Sequence, residues 1–257
     1  MKRLVLKMLP VSLVLATLLA PRTTRWPAEG AVIDDPTLPS VLLIGDSISK
    51  GYAPIARAHL AAEANVHWPL ENCHATSDGL ARLDAWLAGR RWDVIHFNWG
   101  LHDLKYVHDG ALAAPGVGRR ATPLEAYQRN LERLVTRLEA TGAQLVWAST
   151  TPVPPGCNGR VHGDAAVYNA AALRVMRRHG VLVNDLHAFA LPRLRDLQRP
   201  RDVHFTTTGS AALAAQVARA VRTALDGPRE AAACPGPGRD DEQPQPAAAP
   251  WPAAADG

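Results

Sequence analysis

The sequence predicts an α/β protein built on a doubly wound, parallel sheet of about five strands. Three observations predict it. Short apolar runs alternate along the chain with longer stretches whose apolar residues recur at a helical period. The short runs are apolar at almost every position, as strands covered on both faces are. The connections between them are long enough for helical crossovers, and right-handed crossovers make neighbouring strands parallel.

The elements follow in order. Residues 1–20 combine a basic start (Lys2, Arg3, Lys7), an apolar run from Met8 to Ala20 and a small residue at Ala20 where a signal peptidase could cut. This segment reads as a signal peptide, so the chain is expected to be exported, to the periplasm or outside the cell. An uncleaved anchor is the alternative, but 13 apolar residues fall short of the roughly 20 that a membrane span needs. No stable span is expected after removal, and no Cys follows the run to carry a lipid anchor. Residues 21–38 lack periodicity and read as an extended lead-in. The folded domain is expected over 39–226, with strands at Val41 to Ile44, Asn65 to Trp68, Val94 to Asn98, Gln144 to Ser149 and Val181 to Asn184.

A helix starting near Ser47 contains Tyr52. Thr122 and Pro123 read as a cap followed by proline at the first helical position, after which Leu124, Tyr127, Leu131, Leu134, Val135 and Leu138 keep a helical period. Asp164 is expected to cap a helix running to about Arg178. A last helix begins near Thr207 or Thr208 and carries Leu213, Val217, Val221 and Leu225 four residues apart. Residues 227–257, rich in Pro, Ala and acids, offer no apolar face and read as a disordered tail.

Composition narrows the function. At 257 residues, 47% hydrophobic and 20% charged, the chain fits one globular domain with extensions. Its formal charge of +4 falls by three once Lys2, Arg3 and Lys7 leave with the signal segment, so basicity does not argue for nucleic acid. The cysteines, Cys73, Cys157 and Cys234, are odd in number and show no metal spacing. A Cys73–Cys157 bridge is conceivable only through long loops, and free thiols are the other reading. The histidines form no zinc pattern. No metal or cofactor is expected.

In a doubly wound sheet, ligands bind beyond the carboxyl ends of the strands. The run "SVLLIGDSISKGY" stops there at Gly45-Asp46-Ser47. Gly45 allows a tight turn, and Ser47 then lies at a helix start, where free N–H groups and the helix dipole favour developing negative charge. That suits a nucleophile; a plain cap serine is the alternative.

Here "LLIGDSIS" resembles the first block of the SGNH hydrolases, the GDSL-like esterases and lipases, whose serine is the nucleophile. "HFNWGLHD" is similar to their third block, G-x-N-D, and "RDVHFTTTG" places His204 where the family has its histidine, just before the last helix. The resemblance covers Pro39 to Leu225 and implies a flavodoxin-like three-layer sandwich, the SGNH hydrolase fold. It implies Ser47 as nucleophile and His204 as base, since a serine hydroxyl needs a base to take its proton.

Three departures stand out. The family's acid lies three residues before the histidine, where this chain has Arg201; Asp202, two before, could orient His204, or a backbone carbonyl could do so and leave a Ser-His dyad. His102 replaces the family's oxyanion-hole asparagine. A neutral imidazole still has one N–H to offer an oxyanion beside that of Ser47, though a structural histidine is the other reading. In the second block only Gly79 remains as a glycine N–H donor; another N–H, such as that of His74, could serve instead, leaving Gly79 as a residue of a helix start. Asp46, Asn98, Trp99, Lys105 and Tyr106, with His108 nearby, are candidate pocket residues. The rings could stack on a sugar and the cation could meet an acidic group, or they could simply pack, and Asn98 could support its loop.

The expected function is an exported serine esterase working through an acyl-serine intermediate, with a small-molecule or carbohydrate ester as partner and an O-acetylated carbohydrate as the substrate the resemblance suggests. A lysophospholipase or acyl-thioesterase of the same family is the alternative within enzymes, and an inactive ligand-binding module the alternative outside them.

Overall fold

Five short apolar segments form one parallel sheet in the order β2-β1-β3-β7-β8. The computed structural model describes residues 34–227. The segments expected as a signal peptide (1–20) and a tail, apart from Gly227, lie outside the described residues, as do Cys234 and all but the end of the lead-in. The sheet strands are β1 (Ser40–Ile44), β2 (Asn65–His67), β3 (Val94–Phe97), β7 (Gln144–Ala148) and β8 (Leu182–Asn184). All four pairings are parallel, and the order reverses at β1, so a crevice opens beyond the carboxyl ends of β1 and β3. Val41 to Ile44, Ile95 and Phe97 are wholly buried because helices cover both faces.

The helices are α1 (Ser47–His59), α2 (Thr76–Leu87), α3 (Leu124–Glu139), α4 (Asp164–Arg178), the short α5 (Leu186–Ala190) and α6 (Leu194–Leu197), and α7 (Thr207–Asp226). Helices α1 and α7 pack together on one face, while α2, α3 and α4 pack side by side on the other. Tyr127, Leu131, Leu134, Val135 and Leu138 form the buried stripe of α3, and Leu213, Val217 and Val221 that of α7, with Leu225 partly buried at its end.

Two helix starts differ by one residue from the sequence expectation. Pro123 is the N-cap of α3, with extended backbone, rather than its first helical residue. Thr122 stands one residue before that cap, where its N–H donates to Asp103 O at 2.9 Å. Asp164 is the first residue of α4 rather than its cap; Gly163, at φ 92°, takes the cap position, and the Asp164 carboxylate accepts from Arg120 Nη2 at 2.9 Å.

A second, three-stranded antiparallel sheet departs from the expected fold. Strands β4 (Tyr106–His108), β5 (Ala111–Leu112) and β6 (Arg119–Arg120) lie in the order β5-β4-β6 within the β3–α3 connection. They are too short for an alternation pattern. Their signal is the pair Asp109-Gly110, whose φ values of 48° and 78° fit the two-residue hairpin turn that such a pair favours.

Inside the main sheet a polar chain replaces apolar packing. Asn184 Nδ2 lies 3.1 Å from His96 Nε2, and Asn184 Oδ1 accepts from Gln216 Nε2 at 3.1 Å, joining β3, β8 and α7. Burial pushes the His96 imidazole down to about 4, so it stays neutral. Cys73 and Cys157 are both free thiols. No helix among the described residues is long and apolar enough to cross a membrane.

Candidate active site

Strand β1 delivers the chain into α1 through Gly45, where a side chain cannot fit: a Cβ there would lie 2.6 Å from that of Ser49. Close approach, rather than positive φ, is the reason for glycine. Asp46 then caps α1, its Oδ1 accepting from Ile48 N at 2.9 Å. Asp46 is buried, and burial raises its carboxyl above the usual range against the Ile48 bond and the charges of Arg160, His204 and His74. Its carboxylate supports the turn. Ser47 is the first residue of α1, so its N–H has no intrahelical acceptor.

His204 reaches Ser47 from the loop that precedes α7. The backbone of that loop is strapped by Gln198, whose Nε2 donates to Pro152 O and Val203 O at 2.9 Å each, and by Arg199 N–H to His204 O at 2.9 Å. Ser47 Oγ lies 2.9 Å from His204 Nε2, and His204 Nδ1 lies 2.7 Å from Asp202 Oδ1. A carboxylate only accepts, so Nδ1 carries the ring proton and Nε2 is left to accept from the Ser47 hydroxyl.

The shifted acid has a local explanation. Arg201 adopts φ 58°, rare for a side-chain-bearing residue, and the tightened turn lets Asp202 Oδ1 also accept from His204 N–H at 3.1 Å. Burial works against the Asp202 charge, but the two bonds from His204 and the charges of His204 and Arg199 outweigh it and hold the carboxyl below its usual range. The structure therefore brings Ser47, His204 and Asp202 into one hydrogen-bonded chain.

The loop after β3 supplies His102. Gly100 is wedged against the segment that follows β7, since a Cβ there would fall 2.0 Å from Thr150 Oγ1. Asp103 is fully buried and accepts from Thr76 N at 3.1 Å and Thr76 Oγ1 at 2.6 Å, tying this loop to the start of α2. Burial outweighs those bonds and raises its carboxyl to about 6. His102 Nδ1 lies 3.4 Å from both Lys105 Nζ and His74 Nδ1. An ammonium only donates, so Nδ1 is the acceptor and the His102 proton sits on Nε2, the nitrogen with no protein partner among the described residues. Burial, then Lys105, His74, Arg160 and His204, push its imidazole down to about 3. His102 is thus a neutral N–H donor.

Several candidates from the sequence have other roles here. Gly79 lies inside α2 and its N–H donates to Ala75 O at 3.1 Å, so that amide is not free for an oxyanion. Its lack of a side chain serves packing: a Cβ would meet the Trp99 ring at 2.9 Å. The His74 N–H is also engaged, donating to Asn72 Oδ1 at 2.9 Å in a turn where His74 has φ 44°. Trp99 is fully buried beside Trp86, and its Nε1 donates to Cys73 O at 3.3 Å, which excludes it from a substrate wall. Asn98 spends its amide on Ala148 O at 2.8 Å and Thr150 Oγ1 at 3.3 Å, bracing the ends of β3 and β7. Tyr106 accepts from Arg120 Nε at 3.2 Å within the small sheet, and His108 is exposed beside Asp109. Among the pocket candidates, Lys105 directly contacts a proposed site residue.

One group was not foreseen. Arg160, in the loop after β7, donates from Nε to Leu101 O at 2.9 Å and sits near Asp46, Asp202 and His102. A lone arginine in a Gly- and Pro-rich loop carries no pattern signal. His74, expected through its N–H, contributes its ring instead, which meets that of His102 edge-on with centroids 4.9 Å apart.

Comparison with known proteins follows this geometry. The fold matches an acetyl xylan esterase, AlAXEase, with TM-score 0.58 and 16% identity, over 71% of this chain and 99% of that one. It also matches a lipase/acylhydrolase from Enterococcus faecalis (TM-score 0.58, 20% identity, 72% and 96% covered). An acetylxylan esterase from Geobacillus stearothermophilus matches similarly (TM-score 0.58, 17% identity, 76% and 97% covered). No curated protein matches the chain. The model of the GDSL-like Lipase/Acylhydrolase family matches residues 43–212, from the end of β1 into α7 and across both loops that carry Ser47 and His204. With well over half of its length matched to that model, the chain belongs to the GDSL-like lipase/acylhydrolase family of hydrolases.

Proposed function

We propose that the chain is an exported serine esterase that removes a short acyl group, acetate foremost, from a carbohydrate. The observation that carries the catalytic part is the continuous chain Ser47 Oγ–His204 Nε2–His204 Nδ1–Asp202 Oδ1, with links of 2.9 and 2.7 Å. As Ser47 Oγ bonds to the ester carbonyl carbon, its proton passes to His204 Nε2, and the resulting imidazolium is balanced by Asp202. The carbonyl oxygen gains negative charge next to the free N–H of Ser47 and the Nε2–H of His102. Collapse of the tetrahedral species breaks the bond to the alcohol, which leaves with the proton from His204. Water then adds to acyl-Ser47 by the same route, releasing the acid and restoring the serine.

The short acyl group and the carbohydrate rest on two of the similar structures being described as acetyl xylan esterases. Export rests on the pattern of residues 1–20. The test is to treat the purified protein with a fluorophosphonate and find the adduct by mass spectrometry, then to measure nitrophenyl esters of rising chain length. A Ser47 adduct with activity greatest on acetate is the expected result. Labelling at Ser49 would refute the nucleophile, and activity that rises with chain length would favour a lysophospholipase or thioesterase.

A further inference from the structure

Two cations beside His102 are half-buried with no acid in ion-pair reach among the described residues. Arg82, Arg90, Arg120, Arg137, Arg178 and Arg222 each have a carboxylate within ion-pair distance. Arg160 and Lys105, both half-buried, have none among the described residues. They are anchored on adjacent residues of one loop: Arg160 Nε on Leu101 O at 2.9 Å and Lys105 Nζ on His102 Nδ1 at 3.4 Å. The acids nearest in charge to Arg160 are committed elsewhere, Asp46 to capping α1 and Asp202 to His204.

Nε of Arg160 is spent on the Leu101 carbonyl, and the Cys157 thiol is the side chain that hydrogen-bonds its guanidinium. A planar guanidinium whose side-chain partner is a thiol, a weak acceptor, suits an arriving carboxylate better than it suits neutral hydroxyls. Burial weighs against its charge, with partial relief from the Cys157 thiol, Asp46 and Asp202, and an arriving anion would remove that cost.

We infer that the ester substrate carries a carboxylate on its alcohol side, as an O-acetylated uronic acid does, and that Arg160 and Lys105 hold that carboxylate beside His102. This inference rests on the esterase reading: with acetate as the acyl group, the charge can only belong to the alcohol. Arg160 and Lys105 then set substrate class, and Lys105 in addition fixes the tautomer of His102.

The test compares an O-acetylated methyl glycoside of glucuronic acid with the same compound methylated at its carboxyl group. The acid is expected to have a kcat/KM about 10- to 100-fold higher, the range of a charge-assisted hydrogen bond, and the preference should shrink as salt rises. Arg160→Gln and Lys105→Gln should each lower the ratio of acid to neutral ester, and Arg160→Lys should keep most of it. Should the variants fold poorly, wild-type hydrolysis of nitrophenyl acetate supplies a second measurement: glucuronate should inhibit at lower concentration than glucose. Equal turnover of both glycosides, or equal losses on both in the variants, overturns the inference and leaves the esterase intact. Failure to hydrolyse either glycoside or nitrophenyl acetate, with no Ser47 adduct, overturns the esterase reading and this inference with it.

Discussion

The two flanks of the site differ in how their polar groups are spent. On the flank built by β1 and the loop before α7, the groups form linked pairs: Asp46 Oδ1 with Ile48 N–H, Ser47 with His204, and His204 with Asp202. On the flank built by the loop after β3, His102, His74, Lys105 and Arg160 crowd together, and among the described residues no carboxylate lies in ion-pair reach of the two cations. Moving a proton requires a connected chain of donor and acceptor before substrate arrives. Receiving negative charge requires donors that are still unspent. The same crevice thus holds a wired side and an open one, and substitutions on the two should fail differently.

The largest effect is expected on the wired side. Ser47→Ala should lower turnover by about 10⁴- to 10⁶-fold, abolish fluorophosphonate labelling and leave the melting temperature nearly unchanged. Retained labelling would move the nucleophile elsewhere. Next, Asp202→Asn should cost about 10⁴-fold, because an amide can donate toward His204 Nδ1 and favour the wrong tautomer. A loss below tenfold would mean that the backbone alone orients His204.

The open side should respond less and in a distinct pattern. His102→Ala should lower kcat by about 10² to 10³ with little change in KM. His102→Asn should recover part of that, whereas equal damage from both with a lower melting temperature would make His102 structural. Gly79→Ala sharpens the boundary of the site: it should destabilise by about 1–3 kcal/mol through the clash with Trp99, yet leave kcat of the folded protein unchanged. A kcat loss without destabilisation would return that amide to the oxyanion hole.

The smallest effect concerns pH. Burial and its cationic neighbours hold His102 at about 3, so the neutral donor prevails at any higher pH. The pH profile of His102→Asn should therefore overlay the wild type between about pH 5 and 9. A shifted acid limb would show that His102 titrates in that range.

The wired flank was also the legible one. The strand-end turn Gly45-Asp46-Ser47 and the histidine before α7 are local patterns tied to element boundaries, which the apolar periodicity of the chain reveals. Asp202 was legible as an alternative only, because what decides it is the backbone of Arg201, and a positive φ on arginine has no sequence signature. The five main strands follow from their apolar runs. Strands β4 to β6 did not, since two or three residues cannot show alternation and their stability comes from the turn at Asp109-Gly110. Trp99 stayed open between two roles for a physical reason as well: an aromatic beside a site looks the same in sequence whether it faces the crevice or, as here, the α2 glycine that makes room for it.

The chain of His96, Asn184 and Gln216 bears on how the molecule assembles. Strand β8 has three residues, of which Leu182 and Val183 are exposed, so apolar burial gives it little hold on its register against β7. Asn184 supplies that hold, because its amide meets both His96 and Gln216 only in the pairing Ala148↔Asn184. A slip by one residue would turn Asn184 to the opposite face, and a slip by two would strand its amide among apolar side chains. The buried polar chain therefore selects one register for β8, because a misregistered strand is left with unpaired buried groups.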